Sequence, residues 1–186
     1  MRKHNSSRLP KIGVLFTFLL LCLAGLSISY SKWYDHVDMQ MSINIATQEE
    51  TAWARMYNQS DNFTYDFPGN NWATYLKHHL TETPQTFYLY AGQHHLVGEL
   101  ITWRNNTHLF IKYQLNNIYT MSTSHVHVET SFYDIPQANG NPIPGLFTHK
   151  KDHEPGIIEY IYKIPWQNSW DEQQLFIAAH AEVWIP

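Results

Sequence analysis

Cysteine is almost missing from this chain of 186 residues: the single one, Cys22, lies in an apolar N-terminal stretch. Everything beyond it must fold without a disulfide and has no thiol nucleophile to offer. Charge is scarce as well, since Asp, Glu, Lys and Arg make up 15% of residues and the net charge is −4. Lys and Arg do not cluster beyond the first residues, which argues against a nucleic-acid partner. No basic amphipathic stretch is present to lie on a membrane surface. A Gly-x-Ser-x-Gly elbow, a glycine-rich phosphate loop and a His-Glu-x-x-His zinc-protease motif are all absent from the sequence, which removes the commonest signatures of enzymatic chemistry.

What remains is aromatic and apolar. Hydrophobic residues reach 44% and aromatics 15%, a composition that favours a globular, sheet-rich domain over a disordered chain. The length suits one domain plus a leader. Arg2, Lys3, Arg8 and Lys11 precede an uncharged stretch from Ile12 to Ser29. It reads either as a signal peptide, cleaved near Ser27, Ser29 or Ser31, or as a retained N-terminal anchor. Both readings export the remainder. Residues 1–31 are therefore expected to be a leader helix, and 32–186 an extracellular or cell-surface domain touching a membrane only through that leader.

Met39 to Ala46 alternates apolar and polar residues, as a half-buried strand does, and offers an edge for self-assembly. Thr47-Gln48-Glu49-Glu50 has the form of a capping box, and Ala52, Trp53, Met56 and Tyr57 follow helical spacing, which predicts a short helix. Trp72, Tyr75, Leu76 and Leu80 predict a second one, so 47–85 reads as a helical or loop insertion. From Thr86 strand follows strand: 86–91, 95–103, 107–115, 124–129, 157–164 and 174–184. Leu109, Ile111, Tyr113 and Leu115 fall on one face of the third of these. Asn105-Asn106 before it suits a tight hairpin with positive φ. Ile135 to Gly156 holds too many prolines and glycines for a regular element and reads as a long loop. The fold expected is all-β, an antiparallel β-sandwich with one or two short helices.

Leu89-Tyr90-Ala91-Gly92-Gln93, Val97-Gly98, Ser124-His125-Val126-His127-Val128, Gly140-Asn141-Pro142-Ile143-Pro144-Gly145-Leu146-Phe147 and Ala178-Ala179-His180-Ala181 occur in that order. Together, over residues 86–184, they resemble a group of uncharacterised exported β-domains of bacterial and archaeal surface proteins. The resemblance implies a secreted, sheet-rich domain and no particular activity. The leader running into Trp33-Tyr34 and a strand is similar to fibre-forming subunits of biofilm matrices, in which an N-terminal strand completes a neighbour's sheet.

Histidine is the abundant chemistry-bearing residue, with 12 in the chain. His125 and His127 sit two apart in an alternating segment, so a strand points both rings to one face. His180 lies in the last apolar run. A metal site of His125, His127 and His180, closed from the loop by His149 or His153, would give a nitrogen set suited to zinc or copper. The alternative is that His125 and His127 line a solvated face and His180 is a hydrogen-bonded core residue. Trp166 and Trp170 flank a turn-like segment, where solvent-facing indoles would suit a surface carbohydrate; otherwise they cover the end of the fold. The leading expectation of function is a non-enzymatic surface or matrix protein that binds or assembles. Histidine-ligated metal binding and carbohydrate binding are the alternatives.

Overall fold

The computed structural model describes residues 48–56 and 64–186, which belong to one compact unit. The leader, the Met39–Ala46 segment and its edge pairing lie outside the described residues. Among the described residues no helix is long and apolar enough to cross a membrane.

Among the described residues twelve strands carry the fold: β1 (Gln48–Arg55), β2 (Tyr65–Asp66), β3 (Thr74–His78), β4 (Gln85–Ala91), β5 (His95–Arg104), β6 (His108–Leu115), β7 (Thr120–Glu129), β8 (Gln137–Ala138), β9 (Asn141–Pro142), β10 (His149–Asp152), β11 (Glu159–Pro165) and β12 (Leu175–Ile185). The domain is all-β and antiparallel, as expected. Ten strands share one sheet in the order β10-β7-β12-β1-β4-β5-β6-β11, with β2 and β3 attached beside β12, and β8 and β9 form a separate ribbon.

This sheet rolls over on itself. Just before β11, Ile158 O accepts from Leu115 N–H at the end of β6 (2.8 Å), while Ile157 O accepts from Met121 N–H at the start of β7 (2.8 Å). One short segment thus links the two ends of the sheet. The inner face holds the main core, with Leu89, Val97, Leu100, Leu109, Ile111, Tyr113, Val126, Leu175, Ile177 and Ala179 all fully buried. The face proposed for β6 from its alternation is thus the core face. Tyr113 reaches across the roll, its hydroxyl lying 3.1 Å from His125 O on β7 and 3.0 Å from His180 O on β12. The alanines flanking His180, Ala179 and Ala181, keep the inner face of β12 low enough for that approach.

Both expected helices are strands. Gln48–Arg55 is the central β1, paired with β12 on one side and β4 on the other. Its inner residues Ala52 and Ala54 join the main core, while Trp53 joins a second apolar cluster on the outer face. A strand covered on both faces loses its polar/apolar alternation, so four apolar positions coincided with helical spacing. Thr74–His78 is β3, with Leu76 inward and Tyr75 against Phe67, Phe132 and Phe176.

Two turns also differ from expectation. Neither Asn105 nor Asn106 has positive φ. The Asn105 side-chain oxygen instead accepts from the N–H groups of Thr107 (2.9 Å) and His108 (2.7 Å), an Asx-type closure that does the same job. The Ile135–Gly156 segment is structured: it contains β8, β9, β10 and a one-turn 3-10 helix at Pro144–Leu146. Its breakers serve the ribbon, where Asn139 and Gly140 adopt left-handed φ of 50° and 77°.

Candidate functional site

The outer faces of β7, β12 and β1 carry, in adjacent rows, His125 and His127, Ala178, His180 and Glu182, and Trp53 and Thr51. Strand pairing fixes these rows, since His125 lies opposite His180, Ala178 opposite His127, and Trp53 opposite His180. Residues opposite one another in an antiparallel ladder share a face. Two chain segments then wall this surface. From one side come Phe67, Trp72 and Ala73; from the other come Phe132, Ile135 and Phe147, and these pack with Trp53 and Ala178 into the outer apolar cluster. The walls are clasped at one end, where Gly69 N–H donates to Gly140 O (3.0 Å) and Asn71 N–H donates to the Asn141 side-chain oxygen (2.8 Å). Gly69 is required at the clasp, since a Cβ there would stand 2.1 Å from that same Asn141 oxygen. On the far wall, Lys150 Nζ donates to Gly145 O at 2.8 Å.

Between the walls lies an open cleft of about 670 Å³. Its floor is Trp53, His180 and His125, with Thr51 and Glu182 beside them, and its walls present Trp72, Asn70, Asn71 and Gln93. A second hollow of about 500 Å³ shares Trp72, Asn70, Asn71 and Gln93 with it and adds Arg55 and Asp66. The two form one groove on the outer face.

At the floor the histidines make a chain. His125 Nδ1 and His180 Nδ1 lie 3.2 Å apart, with the rings stacked at 5.4 Å, and His180 Nε2 lies 3.4 Å from Glu182 Oε1. A neutral imidazole carries one N–H, so the Nδ1 pair can share only one proton. The carboxylate favours the proton of His180 on Nε2. His180 Nδ1 then accepts from His125 Nδ1–H, which leaves His125 Nε2 as an unprotonated acceptor. Burial is the main cause that holds the His125 pKa below its usual value, reinforced by the neighbouring His180 ring and by Lys150; Glu182 and Asp152 oppose it. The charged form of His125 is thereby disfavoured.

The remaining expected ligands do not converge on it. His127 shares the face, but its Nδ1 accepts from Thr148 N–H (3.2 Å) and its Nε2 lies 3.1 Å from Glu129 Oε1, within ion-pair reach though off a hydrogen-bonding line. Its Nδ1 is thus occupied within the fold, and its Nε2 stands beside Glu129. Burial is again the leading cause lowering its pKa. His149 and His153 lie towards the opposite face of the sheet. His149 is paired with Val126 and faces Tyr162, while His153 Nε2 lies 2.8 Å from Ser124 Oγ, which is itself bonded to the Tyr162 hydroxyl. The expected set of three to five histidines is therefore split by the sheet. Among the described residues no group of three His, Cys, Asp or Glu side chains is placed to hold a metal ion.

The tryptophan segment is also reassigned. Trp170 is buried in the main core, and Trp166 packs edge-on against it at 5.5 Å. Trp166 Nε1–H donates to Asp171 at 2.8 Å, and the Arg104 guanidinium covers the Trp166 ring at 4.9 Å. These indoles close the end of the fold. The tryptophans that do line a cleft, Trp53 and Trp72, lie in the segment read from sequence as a helical insertion, so the misassigned helices hid them. Their signal was the Pro68-Gly69-Asn70-Asn71-Trp72 run, a turn carrying an aromatic and two amides.

No family model, curated protein or solved structure matches the chain. Function is thus argued from the groove itself.

Proposed function

We propose that the chain is an exported, non-enzymatic binding module with a sandwich-like layered sheet, taking polyhydroxylated, carbohydrate-type ligands in the outer-face cleft. The observation that carries this is the lining: Trp72 and Trp53 beside three side-chain amides (Asn70, Asn71, Gln93), a carboxylate (Glu182), a hydroxyl (Thr51) and an imidazole pair. A sugar presents an apolar ring face and a fringe of hydroxyls that both donate and accept. The partly exposed Trp72 indole matches the first, and amides, carboxylate and imidazole match the second. The cleft has too many polar groups for a lipid chain. No Lys or Arg lines the larger hollow to recognise a phosphate.

Binding is favoured over assembly by the sheet edges. Among the described residues, edge β10 is only four residues long and carries Lys150 and Lys151. Edge β11 alternates Glu159, Ile161 and Lys163 outward and ends in Pro165. Short, charged, proline-terminated edges resist pairing with another chain. Export and the likeness to surface β-domains belong to the same proposal and rest on the leader and the ordered motifs of 86–184.

Tryptophan fluorescence titrated with a panel of neutral and acidic oligosaccharides tests the reading. A saturable change that Trp72→Ala abolishes and Trp166→Ala retains is expected. Binding that survives Trp72→Ala but is lost on Trp166→Ala would overturn the assignment of the site.

A further inference from the structure

The floor of the cleft holds a second kind of chemistry. We propose that His125 Nδ1 and His180 Nδ1 are two ligands of a divalent transition-metal ion of the zinc or copper(II) class, with Glu182 positioning the His180 ring. The proposal uses two of the five histidines singled out in the sequence, leaves the other three aside, and is independent of the carbohydrate reading.

The distance is the first argument. Two imidazole nitrogens bound to one tetrahedral ion at about 2.0–2.1 Å stand about 3.3 Å apart, and the observed separation is 3.2 Å. The facing nitrogens require something between them, because two bare lone pairs at that distance repel. In the metal-free protein a single shared proton fills the gap. A metal ion bound to both would instead sit beside the line that joins them, once the His125 proton moves to its Nε2. The separation of the nitrogens therefore already matches that of a ligand pair, and binding asks only for a tilt of the rings.

Orientation is the second argument. A histidine that binds a metal through one nitrogen usually donates its other N–H to a carboxylate, which fixes the tautomer and raises ligand basicity. His180 has a carboxylate within ion-pair reach of its Nε2, that of Glu182 at 3.4 Å. The ring is also clamped, being nearly fully buried and 4.8 Å from Trp53. Beneath it the Tyr113 hydroxyl approaches both backbone carbonyls of the pair. His125, half-exposed, stands on the strand next to it and completes the pair.

Openness is the third. Two protein ligands leave coordination positions on the cleft side, which opens to solvent beside Thr51 and Gln93. Water or a donor atom of a cleft-bound molecule can take them, which is the arrangement of an open site and not of a closed structural one. Lys150 lies opposite His125 in the ladder and weakens cation binding from one side, while Asp152 on the same strand offsets it.

The test uses the full chain, stripped with chelator and titrated with zinc chloride alone. Long-range 1H–15N spectra of the histidine rings give a readout that needs no variant. Zinc should move the Nδ1 signals of both His125 and His180 at one equivalent and leave His153 unmoved. Calorimetry should show that site weakened at least tenfold by His125→Ala. Glu182→Gln should weaken it about tenfold with the melting temperature of the metal-free protein unchanged, as a positioning residue does. Lys150→Gln should tighten it. Zinc that shifts other histidines, or a tightest site indifferent to both His125→Ala and Glu182→Gln, would overturn the proposal.

Discussion

Removing one oxygen at Tyr113 tests how the rolled sheet holds the histidine pair in place. Tyr113 is fully buried, and its hydroxyl stands 3.1 and 3.0 Å from the carbonyls of His125 and His180. Burial pushes its pKa well above the usual phenol value, so it stays a donor throughout the working pH range. Tyr113→Phe keeps the ring and deletes the only proton shared between those carbonyls. One buried hydrogen bond is worth about 1 kcal/mol, and leaving an acceptor short of its partner adds up to about another. The expected loss is therefore about 1–2 kcal/mol, or roughly 3–10 °C in Tm for a domain of this size. The assay is calorimetric or circular-dichroism melting at pH 7.5, with the histidine ring signals recorded in parallel. The rings of His125 and His180 should respond while His78, remote from the latch, should not. A Tm change below about 1 °C with unmoved ring signals would refute the view that this hydroxyl ties β6 to the β7–β12 pair.

Other perturbations have equally definite outcomes. Gly69→Ala places a Cβ on the Asn141 side chain. Because the Asn141 backbone nitrogen is also displaced, it should release the clasp, lower Tm, raise hydrogen exchange at Asn71 and weaken oligosaccharide binding at least severalfold; unchanged exchange would contradict this. Burial lowers the pKa of His78, His149 and His153. The unfolded chain therefore takes up protons first, so stability falls as pH drops from about 6.5 towards the folded pKa values, by up to about 1.4 kcal/mol per pH unit per group, and levels off below them. Urea unfolding from pH 8 to 5 should show that slope, shallower in His78→Gln; a flat profile would contradict it. Trp170→Ala should cost about 3–5 kcal/mol as a core truncation, against about 1 kcal/mol for Trp166→Ala; similar losses would mean that Trp170 is not a core residue.

The strands β4, β5, β6, β7, β11 and β12 were legible because each shows alternation or a β-branched and aromatic run, whereas β8, β9 and β10 are short and set among prolines and glycines that read as a loop. The Leu109-to-Leu115 face is the clearest case, buried throughout. β1 and β3 were not, because an outer apolar cluster covers their second face and erases the polar half of the pattern. That cluster is assembled from segments 64–73 and 130–148, far apart in sequence, and no local signal announces it. The histidines were legible only in part. Spacing correctly put His125 and His127 on one face, but the pairing of β7 with β12, which brings His180 against His125 and sends His149 and His153 to the other side, is a matter of register. Likewise Trp166 and Trp170 sit in a turn, yet the end of the core lies directly beneath them.

The most direct measurement is a map of the bound ligand on the protein: 15N-labelled chain titrated with the tightest-binding oligosaccharide, following the tryptophan indole and side-chain amide signals. Shifts concentrated at Trp72, Trp53, Asn70, Asn71 and Gln93, with Trp166 and Trp170 unmoved, are expected. Shifts centred on Trp166 and Trp170 or along β11, with the cleft silent, would contradict the assignment of function to the outer face.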